Sequence, residues 1–345
     1  MSDAARLRQV SVVMPVFNAA AHVEEAVASA VAQPETGEVI LVEDGSSDSS
    51  LEVCRRLAQR HDSVRVLCHP DGGNHGAGAS RNLAIAGSRC PLVAFLDADD
   101  YYLPGRFKAA MEVFERHPDA DGVYETTGVF FQDDQSRLRW KESGWPESLG
   151  MRRRIDPSDL FETLVAGGAG SFCTDGIVVR RSLFEKSGVF NARLRAGQDT
   201  HLWIRMAHAG RLYPGQERRP VSMCRIHGGN RVTGHVRKGQ QDDVQRVWGD
   251  LVLWGRAQRL PGRLVRLLSR RYAAASRGVV LERRLPGAWW GAVRSCGFLI
   301  LHCPRPWHVE GFFDLLGSAT MVALAWRRLA DGVVRGVCRG RVGAV

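Results

Sequence analysis

The stretch "LVAFLDADDYYLP" (residues 92–104) decides how this chain is read. A short apolar run of strand type, 92–97, ends in three carboxylates within four positions: Asp97, Asp99 and Asp100. A strand meant for burial has no use for charge at its tip unless that tip is a solvated acidic loop or holds something positive. Upstream, "VSVVMPV" (10–16), "EVILVED" (38–44) and "SVRVLC" (63–68) are apolar and β-branched, the composition of buried strands.

Helical patterns lie between these runs. Val23, Ala26, Val27, Ala30 and Val31 fall on one helical face, with Asn18 ahead of them as a plausible cap. Ser49 with Glu52 fits a capping box opening a helix that carries Leu51, Cys54, Leu57 and Ala58. A Gly-rich loop, "DGGNHGAG" (71–78), precedes the helical "ASRNLAIAG" (79–87). This alternation predicts an α/β fold with a mainly parallel central sheet and helices on both faces. Ligands of such sheets gather beyond the carboxyl ends of the strands. The loops there, "PVFN" (15–18), "EDGSSD" (43–48), "GGNHGAGASRN" (72–82) and "DADD" (97–100), are all polar or Gly-rich and share one edge.

Beyond residue 105 the pattern weakens. "PGRFKAAMEVFERHP" (104–118) is an amphipathic helix, "DGVYETTGVFF" (121–131) reads as one strand, and 132–158 reads as a long polar loop. "GIVVRRSLFEKSG" (176–188) gives a strand and a helix, and "AGQDTHLWIRMAHAG" (196–210) a helix with Asp199 in its first turn. After about 240 the chain becomes Arg-rich and helical. The expected organisation is a first half at 1–105, a second half of the same domain at 106–240, and a basic, mainly helical extension at 241–345.

Composition bounds the answer. With 345 residues, 44% hydrophobic and 24% charged, the chain can bury at least one large core. The net charge of +10 is uneven: residues 251–345 hold sixteen arginines, no lysine and four acidic residues, a balance of +12 that leaves the first 250 residues near −2. Eight cysteines show no CxxC and no zinc-finger spacing, which suggests reduced, mostly buried thiols in a cytoplasmic protein. The start, "MSDAARLRQ", lacks a signal-peptide pattern, and no window reaches about 18 uninterrupted apolar residues.

"VSVVMPVFN", "ILVEDGSSD", "NHGAGASRN", "FLDADD", "GQDTHLW" and "CRIH", in this order, resemble the family 2 glycosyltransferases of GT-A fold over about residues 9–235. The resemblance implies transfer of a sugar from a nucleoside diphosphate sugar, a UDP-sugar favoured, to a hydroxyl of a saccharide or lipid-linked acceptor in cell-surface glycan synthesis. It implies an inverting reaction and a bound Mg²⁺ or Mn²⁺. Hard cations of this kind prefer carboxylate oxygens and take one or two from protein when phosphates supply the rest.

By the same resemblance, Asp99 binds the metal with Asp97 as helper, and His227 reaches metal or diphosphate. Asp100 reads as a local turn or cap residue. Asp44 accepts a hydrogen bond from the uracil, whereas Glu43 departs from the usual Asp by one methylene. Pro15, Val16, Phe17, Asn18, Gly76, Arg81, Asn82 and Ala98 fall in the nucleotide-sugar motifs. Asp199 is the implied base, with helix capping as its plainer role, and Gln198 stands where relatives carry Glu. That departure motivates an alternative, a non-catalytic nucleotide-sugar-binding or scaffold subunit associated with membrane. Trp203 serves either the core or a sugar platform, and His75 is either a site residue or a bystander.

In the last third, Arg256, Arg259, Arg263, Arg266, Arg270 and Arg271 recur at helical spacing beside Leu260, Leu264, Leu267 and Leu268. Such a pattern fits either an anionic membrane surface, here the inner face of the plasma membrane contacted through residues 250–345, or a domain-covering helix with a solvated basic face. Trp289, Trp290 and "FLIL" (298–301) would deepen a membrane contact. No finger or RNP-type motif supports a nucleic-acid partner.

Overall fold

The computed structural model describes residues 9–228, 240–282, 285–303 and 309. Chain contacts separate two units, Met1–Arg237 and Lys238–Val345.

The first unit is built on a seven-stranded sheet. Its parallel part comprises β1 (Val10–Val16), β2 (Thr36–Glu43), β3 (Val64–Cys68) and β4 (Leu92–Phe95). Helices α1 (Val23–Val31), α2 (Ser50–Arg60) and α3 (Ala77–Gly87) connect them. Then follow β5 (Tyr101–Tyr102), α4 (Lys108–Arg116), β6 (Gly122–Tyr124), β7 (Thr127–Phe131), α5 (Asp134–Glu142), β8 (Ser148–Leu149) and α6 (Leu160–Ala166). A 3-10 turn, Thr174–Gly176, leads into β9 (Ile177–Arg180), α7 (Leu183–Ser187), α8 (Gln198–Ala209), β10 (Leu212–Pro214) and β11 (Ser222–Ile226).

Sheet order is β10-β6-β9-β4-β1-β2-β3, and β9 runs antiparallel to both β4 and β6. The sheet is therefore mixed around one reversed strand. Strand alternation explains how both faces are covered. Val10, Val12, Met14 and Val16 pack with α1, α2 and α4 in one buried cluster. On the other face, Phe95 meets Phe190 and Trp203 at 5.5 and 5.8 Å between ring centroids.

A second, four-stranded sheet, β5-β11-β7-β8, stands beside the first. Here the structure corrects several expectations. The run 121–131 is two strands in different sheets, broken at Glu125 and Thr126, whose backbone N–H groups donate to Gly176 and Gln216 carbonyls. Residues 132–158 contain α5 and β8. Asp133 caps α5 by accepting the Ser136 N–H at 2.7 Å, a start signal masked by the polarity of the surrounding segment. The Ser49 side chain makes no capping bond, and Asp48 instead accepts the Ser50 N–H at 3.0 Å. Asn18 does not cap α1, whose cap residue is His22.

The second unit contains α9 (Gln240–Ala257), α10 (Gly262–Glu282) and α11 (Leu285–His302). Leu251, Val252, Leu264, Val265, Leu268, Ala273, Ala292 and Leu299 are buried. Gln245 on α9 donates to Ser276 Oγ of α10 (2.8 Å) and Ser295 Oγ of α11 (2.9 Å), tying the three helices with one amide. The side chains of Trp289 and Trp290, and the stretch 310–345 of the basic extension, lie outside the described residues.

Candidate active site

Pro15 and Val16 close β1, and the Phe17 ring beyond them is 46% exposed. Asn18 adopts the left-handed region (φ +49°). Its Oδ1 accepts the Ser47 N–H at 2.8 Å and its own N–H donates to Ser46 Oγ at 3.0 Å, so it stitches the first strand-end loop to the second. Glu43 turns its carboxylate onto its own loop, accepting the N–H groups of Ser46 (2.6 Å) and Gly45 (3.2 Å).

Asp44, only 2% exposed, accepts the N–H groups of His75 (2.8 Å) and Gly76 (2.9 Å), with His69 Nε2 at 3.3 Å. It thereby fixes the glycine loop. Gly45 has φ +71°, and a Cβ there would lie 2.9 Å from the Asn74 nitrogen; the two loops meet backbone to backbone, a contact that needs glycine. His75 is a surface group whose ring pairs with Asp71 at 2.8 Å.

The acidic tip divides into two pairs. Asp97 faces Arg81, whose guanidinium is buried from α3 and donates to Asp97 Oδ1. Asp99, two residues on, brings Oδ2 to 3.2 Å from His227 Nε2 at the end of β11, while buried Ala98 separates the two acids. The His227 ring lies 5.2 Å from that of His22, which burial and the charges of Arg225 and His227 hold below the ordinary histidine range.

Asp100 is no simple turn residue. Its carboxyl is buried, accepts the Arg225 N–H at 2.7 Å and faces Asp175. Burial and the neighbouring carboxylates push both acids up, Asp175 to about 7. Desolvation dominates because neither carboxyl reaches water. Asp175 also accepts the Asp97 N–H at 3.1 Å. Asp97, Asp100 and Asp175 thus form a second carboxylate group, with oxygens within 4.8 Å of one another.

Asp199 is half-buried in the first turn of α8, within electrostatic reach of Arg81, and its Oδ1 accepts the Thr200 N–H at 2.7 Å. The N-cap position itself is Gly197, in the left-handed region at φ +69°. Gln198 is buried against Gly78, where any Cβ would run into its side-chain carbonyl. The amide of Asn82 is held by the Phe190 backbone, donating to its carbonyl at 2.8 Å and accepting its N–H at 2.9 Å. Trp203 is a core residue, packed with Phe95, Phe172 and Phe190.

A profile of glycosyl transferase family 2 matches residues 11–188, more than half of the chain. The chain belongs to that family. The succinoglycan biosynthesis protein ExoU of Rhizobium meliloti is 30% identical over 221 residues, which cover 61% of this chain and 60% of that protein. An uncharacterized glycosyltransferase of Rickettsia prowazekii, RP339, is 25% identical over 69% of this chain and 70% of its own length. Among solved structures, S. aureus TarS 1–349 in complex with UDP-GlcNAc matches with TM-score 0.66 at 16% identity, covering 93% of this chain and 92% of that one. The glycosyltransferase therefore has the GT-A fold.

Asp175 and the Arg106–Glu125 pair have no signal in the glycosyltransferase's sequence, whereas Arg225 is a candidate there beside His227 in "CRIH". Asp175 precedes β9, and β9 pairs antiparallel with β4 (Ala94↔Val178), which carries Asp175 beyond the carboxyl end of β4 and onto Asp97. Arg106 and Glu125 form a fully buried ion pair at 2.6 Å, and Arg106 Nε donates to the Asp175 carbonyl at 3.0 Å. Arg225 donates through Nε to the Asp99 carbonyl (2.9 Å) and through Nη2 to Glu25 (2.5 Å). Each depends on pairing between segments far apart in sequence, and only "CRIH" offers a local signal.

Proposed function

We propose that this enzyme is an inverting, metal-dependent glycosyltransferase. It would move a sugar from a UDP-sugar to a hydroxyl of a saccharide or lipid-linked acceptor in cell-surface glycan synthesis. The observation that carries this reading is the approach of Asp99 to His227 beside the Asp97–Arg81 pair, with Asp199 near the same arginine.

The donor set fits a divalent cation. Two ligands at adjacent corners of an octahedral Mg²⁺ or Mn²⁺ site, each about 2.1 Å from the ion, stand about 3.0 Å apart. Asp99 Oδ2 and His227 Nε2 are 3.2 Å apart. These two would hold the ion, with Asp97 adjacent, leaving phosphate oxygens to complete the shell. When bound, the ion stabilises the charge that grows on the leaving diphosphate.

The protein's own residues supply the remainder. Arg81 fixes Asp97 and adds positive charge beside the diphosphate. The acceptor oxygen bonds to the anomeric carbon as the carbon–oxygen bond to the diphosphate breaks. The hydroxyl proton passes to the Asp199 carboxylate. A single displacement inverts the anomeric centre. Phe17 offers an exposed ring for the base, and Asp44 would act on uridine selection through the glycine loop it fixes. Burial of Gln198 against Gly78 supports a packing role for its neutral side chain. The free thiols of all seven described cysteines support a cytoplasmic setting.

The test is transfer by Asp99→Asn and Asp199→Asn, with a UDP-sugar panel and Mn²⁺. Each is expected to lose about 10²–10⁴-fold in turnover while melting like the parent. Unchanged turnover in either variant sinks the role given to that residue. Thermal shifts with UDP-, GDP- and dTDP-sugars, with and without Mn²⁺, test the donor; stabilisation by a GDP-sugar alone overturns the uridine assignment.

A further inference from the structure

Among its described residues, the second unit has a face that its helical core does not use. At 100° per residue, Val293, Gly297, Ile300 and Leu301 of α11 share an arc of about 100°, and Arg294 borders it. Ile300 is 57% exposed and Leu301 71%, the latter the largest exposure among the described big apolar side chains. Among the described residues, nothing approaches the Cβ position of Gly297 within 4 Å. The opposite side of the same helix, Ala292, Ser295, Cys296 and Leu299, is buried. The arc is therefore apolar, contiguous and open.

Charge identifies what covers it. Arg256 of α9 donates to the Leu301 carbonyl at 2.8 Å, which places a guanidinium at the end of the arc. Leu253, one turn earlier on α9, is also exposed. On α10, Arg263, Arg266 and Arg270 follow one helical stripe, and Glu282 is the only acidic residue in α10 and α11 together. A second copy docked on this arc would bring Arg256 and Arg294 against their counterparts, and like charges oppose that contact. No helix among the described residues is long and apolar enough to cross a membrane. A helix with one apolar arc amid basic side chains lies in the plane of a bilayer surface.

We propose that this face docks on an anionic lipid bilayer. Val293, Ile300 and Leu301 enter the headgroup region, and Arg256 and Arg294 at the border of the arc meet lipid phosphates. The inference goes beyond the transferase reading and stands without it. Docking would hold the enzyme where a lipid-linked acceptor is presented.

The experiment is flotation of the full chain with phosphatidylcholine vesicles, with and without phosphatidylglycerol, at low and high salt. Binding is expected only to the anionic vesicles and is expected to weaken as salt rises. Ile300→Ser with Leu301→Ser should weaken it about tenfold or more and leave the melting temperature unchanged, since both side chains are exposed. Arg294→Gln should lower the salt-sensitive part of the binding, since this exposed side chain borders the arc. Equal binding to neutral vesicles, or none to either kind, overturns the proposal. So does a serine variant that melts lower and never floats, which would mean that the chain itself covers the face. Loss of concentration-dependent self-association in that variant, without vesicle binding, assigns the face to a second copy and equally overturns it.

Discussion

Replacing Arg106 by Leu tests the buried framework under the acidic tip. Arg106 and Glu125 have no exposed side-chain surface and meet at 2.6 Å. The arginine also donates to the Asp175 carbonyl and lies over the Tyr102 and Phe107 rings at 5.2 and 4.9 Å. Its removal leaves a carboxylate buried without its partner, which costs about 3–5 kcal/mol. For a unit of this size that is a fall of about 6–20 °C in melting temperature. Burial already pushes Glu125 up, against the pull of Arg106, and without the arginine the shift grows.

A carboxyl whose folded pKa lies above its unfolded value favours folding while protonated, and that stability is lost as pH rises through the folded pKa. The Arg106→Leu deficit should therefore be small near pH 5 and larger near pH 8. Adding Glu125→Leu should recover most of the loss, because the unpaired charge is gone. Thermal melts of the parent and both variants across this range decide it. A single variant that melts within about 2 °C of the parent, or a deficit independent of pH, would refute the reasoning.

The remaining predictions concern loops and ligands. Asn82→Ala removes two hydrogen bonds to the Phe190 backbone and should cost about 1–3 kcal/mol in denaturant unfolding while leaving UDP affinity near that of the parent. A large loss of UDP affinity at unchanged stability would return Asn82 to the nucleotide. Gly78→Ala forces a Cβ into the Gln198 side chain and should cost about 1–3 kcal/mol, partly relieved when Gln198→Ala is added; independent, additive losses would contradict that contact. His227→Gln should weaken Mn²⁺ binding measured by calorimetry in the presence of UDP by about tenfold or more. Equal Mn²⁺ affinity would remove His227 from the donor set.

Residue patterns alone settle the parallel part of the main sheet and the edge where the ligand loops gather. β1 to β4 announce themselves as apolar, β-branched runs, and their parallel order brings Phe17, Asp44, Gly76 and Asp97 to one rim. Local chemistry suffices there, because strand–helix alternation admits few topologies. The tertiary structure decided what these residues do for one another. Asp44 and Glu43 hold loops, Asn82 clamps Phe190, and Asp100 joins Asp175 in a buried pair. Asp175 reaches Asp97 only because β9 runs against β4, and His227 reaches Asp99 from 128 residues away. Such contacts arise from pairing between distant segments, which leaves no periodicity in either one. The open arc of α11 has the same origin. Its apolar residues were legible, but which of them face water was settled by the packing of α9 and α10 against the other side.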